Sequence, residues 1–218
     1  LTPMTFVDIS EEVKYMRVKK TQNEIDCIAK AASYVSSAYQ LALRNIRIDM
    51  PETELAGLLS YGKMCSGSEW TAYPEFVSFG ANGCIGHHTA SRDTRLKQGE
   101  LVFMEVGASH MRYHAARMHC FWTGVAPLWF DRLETCIRCA MSLAATVCVP
   151  GTRASVVDRA MRDLIEHAFD DCDIPHPRSF AMLHRSGYSI GIGNVTDWAD
   201  KLIRITPTSC DIIEENMV

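Results

Sequence analysis

The segment that most constrains the fold is residues 101–108, LVFMEVGA, a run of strand-forming residues that carries a single carboxylate. In a strand, successive side chains point to opposite faces, so Glu105 shares its face with Gly107. The apolar residues of the opposite face are Val102, Met104 and Val106. Because burying an unpaired carboxylate is costly, we expect Glu105 to be paired, protonated or directed into a cavity. Space beside Gly107 favours the cavity, and an edge strand whose glutamate meets solvent is the alternative.

Residues 21–46 show the periodicity of a long amphipathic helix. Thr21 is a candidate N-cap, and Glu24, three residues later, would complete a capping box. The apolar residues expected to form the buried stripe are Ile25, Ile28, Ala32, Val35, Tyr39 and Leu43. After a break, a second helix is predicted near residues 52–66, with Pro51 in its first turn.

The rest of the chain reads as strands followed by further helices. The predicted strands form a meander and are YPEFVSFG at 73–80, LVFMEVGA at 101–108 and YHAARMHCFWTG at 113–124. Two helices are predicted over 129–147 and 153–171. Apolar positions at helical spacing on the second are Val156, Val157, Met161, Leu164 and Ile165. Residues 176–193 return to loop and strand. Helices followed by strands therefore occur twice, which predicts an α+β fold with an internal duplication and a site between its halves.

The composition excludes several classes of partner. The chain has 218 residues, 47% of them hydrophobic, and a formal net charge of -4, which is typical of a globular protein. This mildly acidic balance gives no electrostatic footprint for nucleic acid or an anionic membrane. No apolar stretch approaches the roughly 20 residues that span a bilayer. We therefore expect a small-molecule substrate, and neither a nucleic acid nor a membrane, as the partner.

The nine cysteines are odd in number and scattered, mostly among apolar residues. This pattern predicts buried thiols without disulfides in a reducing compartment, and hence a cytoplasmic location. Cys136 and Cys139 form a C-x-x-C pair inside a helical stretch, with no second pair to complete a zinc site. We interpret this pair as core packing.

Histidines are the next candidates for chemistry. His87 and His88 follow a glycine in a predicted loop, where a histidine can act as a general base or bind substrate, although paired loop histidines are often only solvated. His114 and His119 would lie on opposite faces of a strand, because five positions separate them. That spacing argues against one metal shared by both.

Other polar residues could bind a ligand. Three arginines could supply charge for a carboxylate-bearing substrate: Arg112, Arg117 and Arg185. The glycine-rich string SGYSIGIG at 186–193 lacks the strand–GxGxxG–helix context of a dinucleotide site. We expect Tyr188 to place its hydroxyl in a pocket, with Asp197 and Trp198 at the rim.

The order of elements and several local strings resemble the pita-bread family of methionine aminopeptidases, proline-specific peptidases and creatinase. The resemblance runs from KKTQNEIDCIAKAA at 19–32 to the final ENMV, and the string at 81–124 carries most of it. It implies an α+β pita-bread fold with two pseudo-symmetric halves around a central curved sheet, and a homodimer. It also implies that residues 1–218 form one catalytic domain. From the ends of the sequence we expect truncation on both sides, with an N-terminal domain and the last strands absent.

In that family, two aspartates on adjacent strands, a histidine and two glutamates bind a pair of metal ions. The resemblance places Glu105 at the first aspartate, Ala116 at the second and Tyr188 at the histidine. These replacements leave too few ligands for a metal pair, so no cofactor is expected. His87 matches the histidine that contacts substrate. The two glutamates would lie beyond Val218.

The strings MEVGA, RYHAA and HRSGYSIGIGNVTDW resemble, more closely still, the metal-free ectoine hydrolase branch. This resemblance implies metal-independent hydrolysis of a non-peptide C–N bond, in which a glutamate attacks a cyclic amidine. The expected catalytic residues are Glu105, His87 and His114. The residues expected to bind substrate are His88, Tyr113, Arg185, Tyr188, Asp197 and Trp198. The arginine usual on the second strand is replaced, with Arg117 and His119 on either side of its position.

Other functions on the same fold stay open. They are a creatinase-like hydrolase, an Xaa-Pro peptidase, and a binding module that has lost catalysis. A retained active site predicts that Glu105, His87 and Tyr188 lie around one pocket. A binding module predicts that they point apart.

Overall fold

Helices and antiparallel strands make up the computed structural model, which describes residues 4–69, 72–172, 182–193, 199–200 and 202–218. In chain order the elements are α1 (Ser10–Val18), α2 (Gln22–Asn45), α3 (Glu52–Cys65), β1 (Phe76–Phe79), β2 (Leu101–His110), β3 (Tyr113–Trp122), α4 (Leu128–Val147), α5 (Ala154–Asp171), β4 (Gly187–Tyr188) and β5 (Arg204–Ile205). A 3₁₀ turn, Gly80–Cys84, follows β1. The predicted α+β class is confirmed.

The main sheet has the order β1–β2–β3, and both strand pairs are antiparallel. This arrangement confirms the predicted meander and makes β2 the central strand, so Glu105 does not lie at an edge. In the register, Glu105 lies opposite Phe76 on β1 and Met118 on β3. Directly opposed residues share a face of the sheet. These three side chains therefore lie on the same side.

The other face of the sheet packs against α2 and α3 and forms the main core. The apolar strand residues of this core are Val77, Phe79, Val102, Met104, Val106 and Ala108. Tyr39 of α2 ties the helix to the sheet, since its hydroxyl lies 2.6 Å from the carbonyl oxygen of Met104 and 2.9 Å from that of Arg117. The apolar face predicted for LVFMEVGA is thus the face that the helices cover.

The four long helices agree with the predicted ranges within one residue at each end. At the start of α2, the Thr21 side chain accepts a hydrogen bond from the backbone N–H of Glu24, and the Glu24 carboxylate accepts one from the backbone N–H of Thr21. The predicted capping box is confirmed. The helix α1 was not anticipated, because its nine residues carry mostly exposed side chains and only Val18 is buried.

The buried stripe of α2 differs in part from the prediction. The predicted positions that are buried are Ile28, Val35 and Tyr39. The predicted burial of Ala32 and Leu43 is wrong, because both are exposed. Small residues are buried instead: Ala31, Ala38 and Ala42. They let α3 lie close, since a Cβ on Gly62 would come within 2.8 Å of the Cα of Ala38.

The second half repeats the order of a helix pair followed by short strands. On α5, the prediction holds for Val157 and Ile165, which are buried, and is wrong for Val156 and Leu164, which are exposed. Backbone hydrogen bonds join this half to β3, and they run from His114 N to Gly191 O and from Gly193 N to Arg112 O, each 3.1 Å long. The segment that follows Tyr188 therefore lies beside the main sheet.

The cysteines correct one prediction. None of the nine, all of which lie in the described ranges, forms a disulfide, but only Cys172 is buried. Cys139 is exposed and Cys136 half-buried on α4, so this pair is not core packing.

In the described part of the chain no helix is long and apolar enough to cross a membrane. The homodimer and the cytoplasmic location stay predictions.

The capping box gives a test of the fold. Replacing Thr21 with alanine removes the acceptor for the Glu24 N–H, and we expect the free energy of unfolding to fall by about 1 kcal/mol. Thr21→Ser keeps the hydroxyl and is expected to keep most of the stability. Urea unfolding followed by circular dichroism measures both variants. Equal losses in the two variants would show that the cap does not stabilise α2.

Candidate active site

Glu105 lies in the middle of β2 and is 7% exposed. Burial raises the pKa of its carboxyl above the ordinary value, and two neighbours oppose that rise: the polar Tyr73 hydroxyl and the charge of His87. The carboxyl is therefore buried, with a phenol and an imidazole near enough to lower its pKa. Such a group can act as a nucleophile or base, because burial makes its ionised form reactive and the partners make that form accessible.

Tyr73 occupies the space beside Gly107. A Cβ on Gly107 would lie 2.6 Å from the Cε1 atom of the Tyr73 ring, which leaves no room for one. The ring also stacks on Phe76, with 5.6 Å between centroids and an interplanar angle of 17°. The prediction that Gly107 leaves an open cavity beside Glu105 is wrong, because Gly107 makes room for this aromatic ring. Nothing local in the sequence pointed to Tyr73, which reaches Glu105 only through the β1–β2 pairing.

His87 also lies against Phe76. Their ring centroids are 5.0 Å apart, and the His87 side chain is exposed. Its backbone has a φ of 55°, in the left-handed region that a residue with a side chain seldom adopts. This conformation directs the imidazole toward the sheet face that carries Glu105, close enough for its charge to favour the ionised carboxylate.

Tyr188 on β4 brings the second half of the chain to the same place. Burial raises the pKa of its hydroxyl, the charge of Glu105 raises it further, and Arg185 lowers it. The Arg185 guanidinium lies over the Tyr188 ring, 5.5 Å from its centroid, and is itself exposed. The structure thus brings His87 and Tyr188 within electrostatic reach of Glu105, and Arg185 within reach of Tyr188.

Other predicted site residues lie elsewhere. Tyr113 projects from the opposite face of the sheet and donates a hydrogen bond to Glu24 Oε1 at 2.9 Å, so it does not face Glu105. His114 shares the face of Glu105 but is fully buried and pairs with Ser109, roughly 13 Å farther along β2 at the rise of a strand. Two predicted rim residues lie outside the described residues: Asp197 and Trp198.

His88 binds the protein itself. Its Nε2 atom lies 2.8 Å from Oε2 of Glu52, a fully buried carboxylate at the first position of α3. The other atoms that donate hydrogen bonds to Glu52 are Phe79 N at 2.8 Å, Asn82 Nδ2 at 3.0 Å and Ser91 N at 2.8 Å. This contact gives His88 a structural role, and substrate binding by His88 stays a prediction. Glu52 anchors both ends of the loop that carries His87.

Sequence reasoning missed Glu52 for a physical reason. An acidic residue in the first turn of a helix normally lies exposed and interacts with the helix dipole. Only the tertiary structure shows that this one is enclosed by a loop some thirty residues later in the chain. The proline before it and the helix start gave no signal of burial.

The residues around Glu105 do not fit a pair of metal ions. On the same face of β3, the positions opposite Glu105 and Gly107 are Met118 and Ala116, which offer no carboxylate or imidazole. Over the ranges that the structure describes, no group of three or more His, Cys, Asp and Glu side chains is arranged to hold a metal ion. Tyr188 adds a phenol where the resemblance expects a histidine.

Comparison with known proteins identifies relatives over nearly the whole chain. The model of metallopeptidase family M24 matches residues 26–218. The chain is 25% identical to Xaa-Pro dipeptidase from Pyrococcus furiosus over 214 residues, which cover 98% of this chain and 57% of that protein. It is also 25% identical to ectoine hydrolase from Halomonas elongata over 222 residues, which cover 97% of this chain and 53% of that protein. The chain thus spans about half the length of these relatives.

Solved structures show the same fold. X-Pro aminopeptidase from Thermotoga maritima matches with a TM-score of 0.83 at 23% identity, over 98% of this chain and 56% of that one. Prolidase from Pyrococcus furiosus matches with a TM-score of 0.82 at 23% identity, over 96% of this chain and 58% of that one. These similarities confirm the predicted pita-bread fold.

Glu52 offers a test of how the site is held. Glu52→Ala leaves several buried donors without an acceptor, and we expect the free energy of unfolding to fall by about 3 kcal/mol or more. Glu54→Ala is the matched control, because Glu54 lies on the same helix and pairs with Arg47 at the surface. Its loss should be much smaller. Thermal and urea unfolding measure both variants, and similar losses would contradict the anchoring role of Glu52.

Proposed function

This chain belongs to metallopeptidase family M24, and an ectoine hydrolase is among its relatives. We propose that it carries the active site of a metal-independent hydrolase that opens a cyclic amidine. The observation that carries the proposal is the environment of Glu105. This buried strand carboxyl lies within electrostatic reach of a phenol and an imidazole, and no second carboxylate faces it across β3. A lone carboxylate with proton-carrying neighbours suits covalent catalysis better than it suits metal binding.

Glu105 is proposed as the nucleophile. One of its oxygens forms a bond to the amidinium carbon of the substrate, and the electron pair of the C–N double bond moves to nitrogen. The adduct then breaks one C–N bond of the ring, and the departing nitrogen takes a proton and leaves as an amine. Water then attacks the same carbon, which is now an imidate carbon bonded to the Glu105 oxygen. The water gives up a proton, and cleavage of the bond to Glu105 regenerates the carboxylate and leaves an amide. The sum is amidine plus water giving amide plus amine, by two steps that are each easier than direct displacement.

His87 is proposed to carry the protons. Its exposed imidazole faces the carboxylate side of the sheet, so it can protonate the departing nitrogen and then accept a proton from the attacking water. His114 was the other candidate for this role. His114 pairs with Ser109, which lies four residues along β2 from Glu105. We therefore assign His114 no step in the reaction.

Arg185 and Tyr188 are proposed to bind the substrate. Arg185 is exposed and lies over the Tyr188 ring, which holds the guanidinium at the mouth of the site. A guanidinium binds a carboxylate through paired hydrogen bonds. The proposed substrate is therefore a cyclic amidine that bears a carboxylate. The ectoine hydrolase relative supports this class, since ectoine is such a compound.

An Xaa-Pro peptidase is the second candidate, since a dipeptidase is as similar to this chain as the ectoine hydrolase is. This function would require a metal centre that includes donors outside the described residues. A creatinase-like hydrolase would use the same metal-free site on a different substrate. If the chain is a binding module that has lost catalysis, Glu105 takes part in no reaction.

One assay separates these functions. The full-length protein is incubated with ectoine, creatine or an Xaa-Pro dipeptide, with and without EDTA, and products are measured by liquid chromatography. We expect ectoine opening that EDTA does not change and that Glu105→Gln lowers by about a thousand-fold or more. Peptide cleavage that is lost with EDTA and restored by manganese would overturn the metal-free proposal. No turnover of any substrate would favour the binding module.

Stability gives a prediction that does not depend on the substrate. The pKa of Glu105 is higher in the folded protein than its ordinary value of 4.5. The free energy of unfolding therefore falls as the pH rises from below 4.5 through the folded pKa, because the folded state holds this proton more tightly than the unfolded state. Glu105→Gln removes the charge, so we expect the variant to melt a few degrees higher than the parent at pH 7. The difference should vanish in acid, where the parent carboxyl is protonated in both states.

Thermal unfolding of both proteins from acid to neutral pH measures this effect. Glu12→Gln is the control, because it removes the same charge from an exposed position on α1. If Glu105→Gln is less stable than the parent at pH 7, the interactions of the carboxylate outweigh the cost of its burial.

A further inference from the structure

We propose that Tyr73 is a positioning residue for Glu105. The Tyr73 hydroxyl holds one oxygen of the Glu105 carboxylate, so that the other oxygen is directed at the substrate. Gly107, which has no side chain, makes room for the Tyr73 ring. This inference rests on the proposed role of Glu105 as the nucleophile. Neither Tyr73 nor Gly107 was singled out for this role by the sequence patterns.

The geometry places the Tyr73 hydroxyl beside the carboxylate. Glu105 and Gly107 are alternate residues on one face of β2, about 7 Å apart at the rise of a strand. The Tyr73 ring lies directly on Gly107, where a Cβ would approach its Cε1 atom to 2.6 Å and its Cδ1 atom to 3.1 Å. The ring therefore lies on the face that carries Glu105, and its hydroxyl is close enough to the carboxyl for each group to shift the pKa of the other.

Phe76 holds the ring from the other side. It pairs directly with Glu105 in the β1–β2 register and stacks on Tyr73 with nearly parallel planes. The ring of Tyr73 is thus enclosed between Phe76 and the backbone of Gly107. This confinement limits the positions that the Tyr73 hydroxyl can take.

A buried cation fixes both sides of this contact. Lys63, near the end of α3, is fully buried, and its ammonium donates a hydrogen bond to the Gly107 carbonyl oxygen at 2.9 Å. The same ammonium pairs with Glu75, two residues after Tyr73. One side chain therefore links the strand that carries Glu105 to the segment that carries Tyr73. The distance between them is set by the protein core.

The chemistry fits a positioning role. Burial and the charge of Glu105 raise the pKa of the Tyr73 hydroxyl far above its ordinary range, so the phenol stays protonated and acts as a donor. A donor to the ionised carboxylate favours that form and opposes the effect of burial on the pKa of Glu105. Holding one oxygen also restricts rotation of the side chain, and orientation of reacting groups is a large part of catalysis.

The test is Tyr73→Phe in the full-length protein, which removes the hydroxyl and keeps the ring. We expect kcat for ectoine opening to fall about 10- to 100-fold with little change in KM, because orientation is lost and binding is not. We also expect the acidic limb of the kcat/KM profile to move to higher pH, since Glu105 loses a donor that favours its ionised form.

Tyr34→Phe is the matched control. Tyr34 is equally buried, and its hydroxyl lies 3.1 Å from His110 Nδ1, away from Glu105. The Tyr34→Phe variant removes a phenol hydroxyl of the same kind from α2. It should lower stability to a similar degree and leave the pH profile unchanged. An identical profile for Tyr73→Phe and Tyr34→Phe would overturn the proposal.

A second measurement separates this inference from the proposed reaction. The pH dependence of unfolding is compared for the parent, Glu105→Gln, Tyr73→Phe and the double variant. We expect Glu105→Gln to stabilise the Tyr73→Phe protein more than it stabilises the parent at pH 7, because the carboxylate without its donor is more costly to bury. If this coupling is present and ectoine is not opened, the contact stands and the proposed reaction is wrong. If the coupling is absent, the positioning role is wrong whatever the activity.

Discussion

The structure depends on β2, a central strand that is buried on both faces and whose two faces have opposite character. One face is apolar and packs against α2 and α3, while the other carries Glu105. Because side chains alternate strictly along a strand, a slip of one residue would exchange the two faces. Such a slip would place the carboxylate in the helix-covered core. The apolar packing therefore fixes the register, and the register fixes where Glu105 points.

The helix α3 connects this register to the groups around Glu105 through a buried charge at each end. Glu52, at its first residue, gathers the loop that carries His87, and Lys63, near its last turn, binds the Gly107 carbonyl and pairs with Glu75. Both charges have partners, which is the condition under which a buried charge is tolerated. One helix thus positions two separate segments of the site relative to the sheet. The Tyr73 ring and the His87 imidazole both lie against Phe76, and both groups lower the pKa of the Glu105 carboxyl.

Local patterns in the sequence predicted the elements well and the partners of polar side chains poorly. The period of the helices, the capping box at Thr21 and the alternation around Glu105 are set by neighbours within a few residues, so they can be recognised without a structure. The link from Glu52 to His88 crosses 36 residues, and the contact of Tyr73 with Gly107 depends on strand pairing. The pattern E-x-G could have indicated that something packs beside the acid. It could not indicate that an aromatic ring, and not a ligand, occupies that space.

Glu105 would be difficult to explain if its role were structural. A carboxylate buried in the middle of a sheet lowers stability, and an apolar residue of similar size would pack there at less cost. Its partners lessen this cost without removing it, since the pKa of the carboxyl stays raised. Each of those partners is a proton donor or carrier, and Arg185 adds a cation at the exposed side. Surroundings of this kind leave the acid poorly solvated and close to groups that can carry protons, which are properties that the proposed role as a nucleophile requires.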